Sequence, residues 1–218
     1  MLISLNDLAH RHGVRPRTVV HAGAHLGEEA AGYAAIGVER VLWVEANPRL
    51  IAPLLAALGD APPPTQHQVV CVAASSHAHS AVLHIASNGE SSSLLPLGTH
   101  EHEHPEVTYV DEVPVIAAPL DGFVDGYGFG DAEMLNMDLQ GYELEALQGA
   151  TGLLGRPSLR WVYAEVNEDE VYEGCGQRPA VERLLGDFGF ELVTDSMTRH
   201  GWGDALYERS AAWDQVES

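Results

Sequence analysis

The stretch from Val19 to Pro48 constrains the fold of this chain more than any other part of the sequence. Its residues are VVHAGAHLGEEAAGYAAIGVERVLWVEANP. A valine pair leads into a turn that contains Gly23 and Gly27, and the alanine- and glutamate-rich segment that follows predicts a helix from Glu28 to Ile36. An apolar run then ends at Glu45, as in strands buried on both faces of a parallel sheet. This order predicts one βαβ unit.

The acidic residue at the end of this unit indicates a nucleoside ligand. Glu45 lies about 20 residues beyond the glycine turn, where a carboxylate can accept hydrogen bonds from both hydroxyls of a ribose. A dinucleotide site would need glycines where His25 and Glu28 stand, and a helix that opens with Glu28 and Glu29 repels a phosphate. S-adenosylmethionine carries a ribose and cationic groups but no phosphate, so it fits better than NAD or ATP. A tight turn without any ligand is the alternative.

Length and charge limit the domain count and the partners. The 218 residues suit one domain, and 11 basic against 32 acidic residues give a formal net charge of −21. This charge disfavours nucleic acid and anionic membranes, so we expect a small acceptor that is neutral or cationic, and a homodimer is left open. Cys71 and Cys175 lie in different contexts and predict reduced thiols in a cytoplasmic protein. Polar residues where a leader would be apolar predict no signal peptide.

The rest of the chain alternates predicted helices and strands, which indicates a doubly wound α/β sheet. Before the unit, Ser4 is a plausible N-cap of a helix that ends at His12, and after it Asn47 and Pro48 predict a helix start. A turn-rich loop is expected from Gly59 to Pro64, and poor order after Arg209. The other predicted strands are His67–Ala74, Ser80–Ser87, Val107–Leu120, Met134–Asp138, Arg160–Asn167, Glu191–Asp195 and Ala205–Arg209, and the other predicted helices are Tyr142–Gly149 and Pro179–Phe188.

Residues of about 80–120 are expected to form a lid-like insertion. Two strand-like stretches flank a loop that contains NGESSSLLPLGTHEHEHPE. Pro114 and Pro119 place the second stretch at a sheet edge, because proline cannot donate a ladder hydrogen bond. Since ligands bind outside the carboxyl ends of the central strands, the insertion should lie over the mouth of the sheet.

Five motifs, spread from His21 to Arg209, make the chain resemble the FkbM-type S-adenosylmethionine-dependent methyltransferases. They are HAGAHLGEEAAGY with VLWVEANP, SSSLLPLGTH, LNMDLQGYELEALQGA, EVNEDEVYEG and HGWGDALYER. The resemblance implies the Rossmann-like class I methyltransferase fold, a seven-stranded, mostly parallel sheet whose last strand runs antiparallel. It also implies methyl transfer, usually to a hydroxyl oxygen of a sugar or natural product. The alternatives are N-methylation of a small amine or amide, and a non-catalytic cofactor-binding domain.

The resemblance and the βαβ unit together define candidate cofactor-binding residues. The family usually has Asp at the position of His21 and Asn at that of His25, and Glu28 can supply the missing negative charge. Ser92 belongs to a serine cluster, Ser91–Ser93, that offers hydroxyls to a ligand or forms a flexible turn. The complete set is His21, Gly23, His25, Gly27, Glu28, Glu45, Ala46, Asn47, Ala74, Ser92 and Asp138.

Candidate catalytic residues follow from the chemistry of methyl transfer, which needs an aligned acceptor and removal of its proton. Asp138, at the end of a predicted strand, is expected to contact both substrates, although a helix cap is the alternative. His100 matches the family's motif and is a candidate general base, because an imidazole can accept a proton at neutral pH; a solvated lid is the alternative. Glu165 is the third candidate, for binding the acceptor. The hypothesis is that Asp138 positions the substrates while His100 assists proton removal.

A divalent cation such as Mg²⁺ is a further option that is not favoured. Its ligands would be Asp138, Glu165 and Asn167, since hard cations take oxygen ligands. The alternating run from His100 to His104 invites a metal site too, but in a loop that spacing implies no geometry. Tyr172, Trp202 and Asp204 lie in motif segments near the predicted mouth, but aromatic residues beside glycine are as often used in packing as in binding. Glu143 is a weaker candidate, because the helix dipole alone stabilises a glutamate in a first helical turn.

Overall fold

The computed structural model describes residues 1–62, 65–211 and 213. The end of the predicted Gly59–Pro64 loop and most of the predicted poorly ordered tail lie outside the described residues. The helices are α1 (Leu5–His12), α2 (Ala30–Ile36), α3 (Ile51–Gly59), α4 (His100–Glu103), α5 (Glu143–Gln148), α6 (Thr151–Leu154) and α7 (Arg178–Asp187). The strands are β1 (Thr18–Ala22), β2 (Arg40–Glu45), β3 (Gln66–Cys71), β4 (Ala73–Ala74), β5 (His79–Ala86), β6 (Tyr109–Ala118), β7 (Met134–Met137), β8 (Trp161–Asn167), β9 (Phe190–Met197) and β10 (Trp202–Arg209).

Seven strands form the central sheet in the order β3-β2-β1-β7-β8-β10-β9. The pairs from β3 to β8 are parallel, whereas β10 is antiparallel to both β8 and β9. This confirms the predicted seven-stranded sheet and its antiparallel last strand. Because β1 pairs with β2 on one side and with β7 on the other, the strand order reverses beside β1. Ligands of open α/β sheets bind at such a reversal.

Helices cover both faces of this sheet. Alternate residues of the buried strands point to opposite faces, so Val20 and Leu135 pack with α5, α6 and α7, while Val19 and Met134 pack with α1, α2 and α3. The α1 boundaries agree with the sequence signals, since the Ser4 Oγ accepts the Asp7 N–H at 3.1 Å and the chain leaves the helix with a left-handed residue at position 13. No helix of the described residues is long and apolar enough to cross a membrane.

Two predicted helix starts are wrong. The helix expected from Glu28 begins at Ala30, because the Glu28 carboxylate turns back to the His25 ring at 2.7 Å. Its glutamates therefore precede the helix instead of forming its first turn. The helix expected from Asn47 begins at Ile51, because the Asn47 side-chain oxygen accepts the Arg49 N–H at 3.0 Å and closes a separate turn.

The insertion forms a second sheet in the order β4-β6-β5. The predicted strand His67–Ala74 is divided at Val72, so that β3 joins the central sheet and β4 joins this one. β6 lies between β4 and β5 and not at an edge as predicted, but β4 reaches only its last two residues, so Pro114 is paired only with Val82 of β5. Pro119 lies beyond the strand, and the predicted loop around His100 contains α4.

Candidate functional site

A cavity of about 520 Å³ lies at the carboxyl ends of the central strands, between the sheet and the insertion. Asn167 and Gly27 are the two predicted site residues that do not line it. A Cβ at Gly27, where φ is 77°, would lie 3.0 Å from Leu54, so this glycine serves packing of α3. The predicted residues that line the cavity are His21, Gly23, His25, Glu28, Glu45, Ala46, Asn47, Ala74, Ser92, His100, Asp138 and Glu165.

The turn after β1 brings two strand ends together. At Gly23, where φ is 89°, a Cβ would lie 1.8 Å from the carbonyl oxygen of Asp138, so any larger residue would push the end of β7 away. The N–H groups of Gly23 and Ala24 both donate to the Val44 carbonyl, at 2.9 and 3.1 Å. The turn is therefore fixed between β2 and β7, at the reversal of strand order.

Glu45 ends β2 and is buried, with 7% of its surface exposed. Its Oε2 accepts the His25 N–H at 2.8 Å and its Oε1 accepts the Asn47 N–H at 2.7 Å. Burial raises the pKa of this carboxyl, and these backbone hydrogen bonds oppose the rise. Each carboxylate oxygen has a second lone pair, so both can still accept a ribose hydroxyl.

The His21 side chain lies in a buried polar cluster that the sequence did not reveal. Its Nδ1 lies 2.9 Å from the Tyr33 hydroxyl, and Asn136 donates to the same hydroxyl at 2.6 Å. On the other side of the ring, Nε2 lies 3.9 Å from the Glu29 carboxylate. Burial lowers the pKa of His21, so the imidazole is neutral at pH 7. Tyr33, Asn136 and Glu29 lie within the quoted motifs, but nothing in those motifs shows that their side chains meet at His21.

Three carboxylates converge where β7 and β8 end and β10 begins. Glu165 and Asp204 are directly paired across β8 and β10, and Gln140 joins Glu165 to Asp138. Burial, followed by repulsion from Asp138, raises the pKa of Glu165 well above its usual value, and burial likewise raises that of Asp138. The carboxylates also favour cations, because together they raise the pKa of the Met1 amino group even though burial alone lowers it.

Gln140 connects these carboxylates to the insertion. Its Nε2 donates to Asp138 Oδ1 at 2.5 Å and to Glu165 Oε2 at 3.4 Å, while its Oε1 accepts from the Tyr172 hydroxyl at 2.6 Å. Its carbonyl accepts from Ser93 Oγ at 2.8 Å. The residue has a φ of 54°, a left-handed conformation that few non-glycine residues adopt. Sequence reasoning missed it, because a glutamine before a glycine predicts only a turn.

Glu143 shapes that same turn from below the cavity, which it does not line. Its Oε1 accepts the N–H groups of Leu139 and Gly141 at 2.7 and 3.3 Å. Burial raises its pKa to about 7, with a contribution from Asp138. Glu143 lies in the first turn of α5, and its carboxylate also holds the preceding turn through these direct hydrogen bonds.

His100 reaches the cavity from the insertion. The segment before it is docked by backbone hydrogen bonds, including Gly98 N and His100 N to the Val171 carbonyl at 3.0 and 3.2 Å. The imidazole is 8% exposed and lies 5.6 Å from the Tyr172 ring. Its Nδ1 has no hydrogen-bond partner among the described residues. Burial, and then the nearby His104, lower the pKa of His100.

The serine cluster is ordered by its own hydrogen bonds. Ser92 Oγ donates to the Gly89 carbonyl at 2.8 Å and accepts the Ala86 N–H at 3.1 Å. The Ser91 N–H donates to Asn88 Oδ1 at 3.1 Å. Ser92 still lines the cavity, as do Tyr172, Trp202 and Asp204. Within the described part of the chain, no group of three or more His, Cys, Asp or Glu side chains could hold a metal ion.

Comparisons with known proteins point to one class of enzyme. The methyltransferase FkbM domain matches residues 21–192. A comparison with curated proteins finds no match. Magnesium protoporphyrin IX methyltransferase from Synechocystis PCC 6803, solved with bound S-adenosylmethionine, is similar with a TM-score of 0.54 and 14% identity, over 94% of this chain and 76% of that chain. A ribosomal protein L11 methylase from Lactobacillus delbrueckii subsp. bulgaricus also has a TM-score of 0.54 and 14% identity, over 94% and 79%. At these identities the structural likeness shows the fold alone.

Proposed function

The chain belongs to the methyltransferase FkbM family, and on that premise we propose that it methylates a hydroxyl oxygen of a small molecule. The observation that carries this proposal is the buried His100 imidazole, which lines the same cavity as Asp138 and whose Nδ1 has no hydrogen-bond partner among the described residues. An imidazole in the same cavity as carboxylates that can orient an acceptor is the arrangement that proton removal from a hydroxyl requires.

The cavity fits S-adenosylmethionine as the cofactor. Glu45 offers carboxylate oxygens to the ribose hydroxyls, and the close approach of Gly23 to Asp138 leaves a narrow turn against which the ligand can lie. The acidic lining suits a cationic ligand and disfavours a pyrophosphate. When bound, this cofactor supplies a methyl group that its sulfonium has already activated.

The chain's own residues then align the acceptor and accept its proton. Asp138 and Glu165, fixed by Gln140, can hold the acceptor through hydrogen bonds at the end of the sheet. The His100 imidazole would accept the hydroxyl proton as the acceptor oxygen becomes methylated. The lowered pKa of His100 keeps the imidazole in its free-base form at neutral pH.

Methylation of nitrogen is the second candidate, and the carboxylates favour it. Asp138, Glu165 and Asp204 would attract a protonated amine into the cavity more strongly than a neutral alcohol. The two candidates differ in the atom that carries the new methyl group. Incubation with S-adenosylmethionine labelled in the methyl carbon, a panel of hydroxylated sugars and amines, and NMR analysis of the products would identify that atom. Cofactor binding without turnover of any acceptor would contradict both.

His100 is tested by its pH dependence. We expect His100→Ala to lower the methyl-transfer rate by about 10²–10⁴-fold at pH 7 and by less at pH 9, where solvent deprotonates more acceptor. In the wild type the rate should fall as the medium becomes acidic enough to protonate His100, below its ordinary pKa of 6.5. His102→Ala is the matched control, because His102 is exposed in the same helix. A His100→Ala profile that matches the wild type throughout would leave the histidine only a structural part.

Metal dependence is a separate question. Asn167 does not line the cavity with Asp138 and Glu165, so the three predicted oxygen ligands are not presented together. We expect methyl transfer to persist after exhaustive chelation. Loss of activity with EDTA, followed by its recovery on adding Mg²⁺, would show that these carboxylates act through a cation.

A further inference from the structure

Glu29 differs from the other lining carboxylates outside the insertion because its side-chain oxygens accept no hydrogen bond from the described residues. Glu28, which the sequence favoured, is occupied by the His25 ring at 2.7 Å and the Leu26 N–H at 3.2 Å. Asp138 is held by Gln140, and Asp204 accepts from the Tyr163 hydroxyl at 2.6 Å. Among the lining carboxylates outside the insertion, which itself contributes Glu90 and Glu106, Glu29 is therefore the one most available to a cation.

The place of Glu29 matches one end of the cofactor. If Glu45 holds the ribose at the end of β2 and the methyl group faces Asp138 at the end of β7, the amino-acid end must lie near β1, which separates these strands. Glu29 lies there, 3.9 Å from His21, the residue before the last of β1. The side chain is 21% exposed, so its charge is partly desolvated but can be reached from the cavity.

The buried cluster behind His21 fixes the ring for this purpose. Because the Tyr33 hydroxyl accepts from Asn136 at 2.6 Å, its own proton is free to point at His21 Nδ1, at 2.9 Å. Nδ1 is then an acceptor, and the single proton of the neutral ring resides on Nε2, on the side of Glu29. The opposite tautomer would place an Nε2 lone pair toward a carboxylate, which is repulsive. Both sides of the ring therefore select the same tautomer.

We propose that Glu29 binds the α-ammonium group of the methionine end of S-adenosylmethionine, and that His21, with its tautomer fixed by Tyr33 and Asn136, positions the Glu29 carboxylate. This inference rests on the proposed use of that cofactor. The negative charge that the family's usual Asp supplies at the position of His21 then comes from Glu29, the residue before α2. It also gives the neutral His21 a positioning part.

Calorimetry with two ligands separates the contribution of the contact between Glu29 and the α-ammonium group from that of the other cofactor contacts. S-adenosylhomocysteine keeps the ammonium without the sulfonium, and 5′-methylthioadenosine lacks the whole amino-acid end. We expect Glu29→Gln to raise the Kd of S-adenosylhomocysteine by about 10- to 100-fold, as for a lost charged hydrogen bond, and to leave the Kd of 5′-methylthioadenosine unchanged. Unchanged binding of the smaller ligand also shows that the variant is folded.

Glu28→Gln tests the adjacent carboxylate, which also lines the cavity, and Glu39→Gln is the control, because Glu39 is an exposed carboxylate that does not line it. A selective loss with Glu28→Gln, and none with Glu29→Gln, would overturn the proposal. Failure of the wild type to bind either ligand would instead reject the cofactor, and with it the proposed function.

The positioning part of His21 has its own readout. Nitrogen-15 NMR should show the His21 proton on Nε2 in the wild type, and Tyr33→Phe should shift the tautomer balance while weakening S-adenosylhomocysteine binding less than Glu29→Gln does. A wild-type ring protonated on Nδ1 would exclude the proposed arrangement.

Discussion

At the scale of single residues, Glu45 combines two functions, because the carboxylate that faces the cavity also accepts backbone hydrogen bonds from His25 and Asn47. We expect Glu45→Ala to weaken S-adenosylmethionine binding by about 1.5–3 kcal/mol, the range for hydrogen bonds to a charged group. Isothermal calorimetry measures the loss. Glu39→Ala is a suitable control, since it removes an exposed carboxylate that pairs with Arg17. An unchanged dissociation constant in folded Glu45→Ala would remove this residue from the site.

Gln140 permits a sharper test, because its amide donates to a carboxylate that is only 2.5 Å away. Gln140→Glu has the same shape but places a second acid against Asp138, so the pair is stable only with a shared proton. We expect methyl transfer by this variant to fall at pH 8 and to recover partly as the medium becomes acidic, where a protonated glutamate can replace the amide donor. Rate–pH profiles of both proteins measure the effect. A uniform loss at every pH would mean that Gln140 is needed only to shape the turn.

At the scale of elements, the sequence predicted the strands that carry the site and the glycine turn after β1, but not the side-chain contacts of the turn at Gln140. Apolar runs marked β1, β2, β7 and β8, and the acids after them were expected at one edge, where Glu45, Asp138 and Glu165 indeed line one cavity. The Gln140 network depends on a left-handed turn and on contacts with Tyr172, which is far along the chain. Such contacts form only when segments distant in sequence pack together, so no local pattern can encode them.

The docking of the insertion depends on Gly98. A Cβ at this position would lie 2.2 Å from the backbone oxygen of Glu170, and backbone cannot move aside as a flexible side chain can. We expect Gly98→Ala to loosen the segment before His100, to slow methyl transfer and to speed proteolysis within the insertion, while S-adenosylhomocysteine binding changes little. Limited proteolysis and calorimetry provide these measurements. Gly186→Ala is the control, because nothing lies near its Cβ and alanine stabilises a helix by roughly 0.5–1 kcal/mol.

At the scale of the whole molecule, acidity acts both on partners and on stability. The formal net charge of −21 disfavours polyanions, and the buried carboxylates concentrate negative potential inside the cavity. The same carboxylates oppose folding, because burial raises the pKa of Asp138 and Glu165 and so makes their ionised forms unfavourable. A site that attracts a cationic cofactor is thus expected to be less stable when the cofactor is absent.

Glu165 makes this conflict measurable as a function of pH. Its folded-state pKa is raised well above the ordinary 4.5, first by burial and then by Asp138, so above pH 4.5 the folded protein holds more protons than the unfolded chain and loses stability as pH rises. Glutamine cannot ionise, so Glu165→Gln should be more stable by about 1–3 kcal/mol at pH 8, with a difference that shrinks toward pH 4.5. His21 acts in the opposite direction below its ordinary pKa of 6.5, but it is present in both proteins and cancels in the comparison. Thermal unfolding across this range, with the exposed Glu101→Gln as control, should show a midpoint shift of roughly 2–4 °C for each kcal/mol. A Glu165→Gln variant that is less stable at pH 8 would mean that the carboxylate is stabilised by its surroundings and that the cavity carries no electrostatic strain.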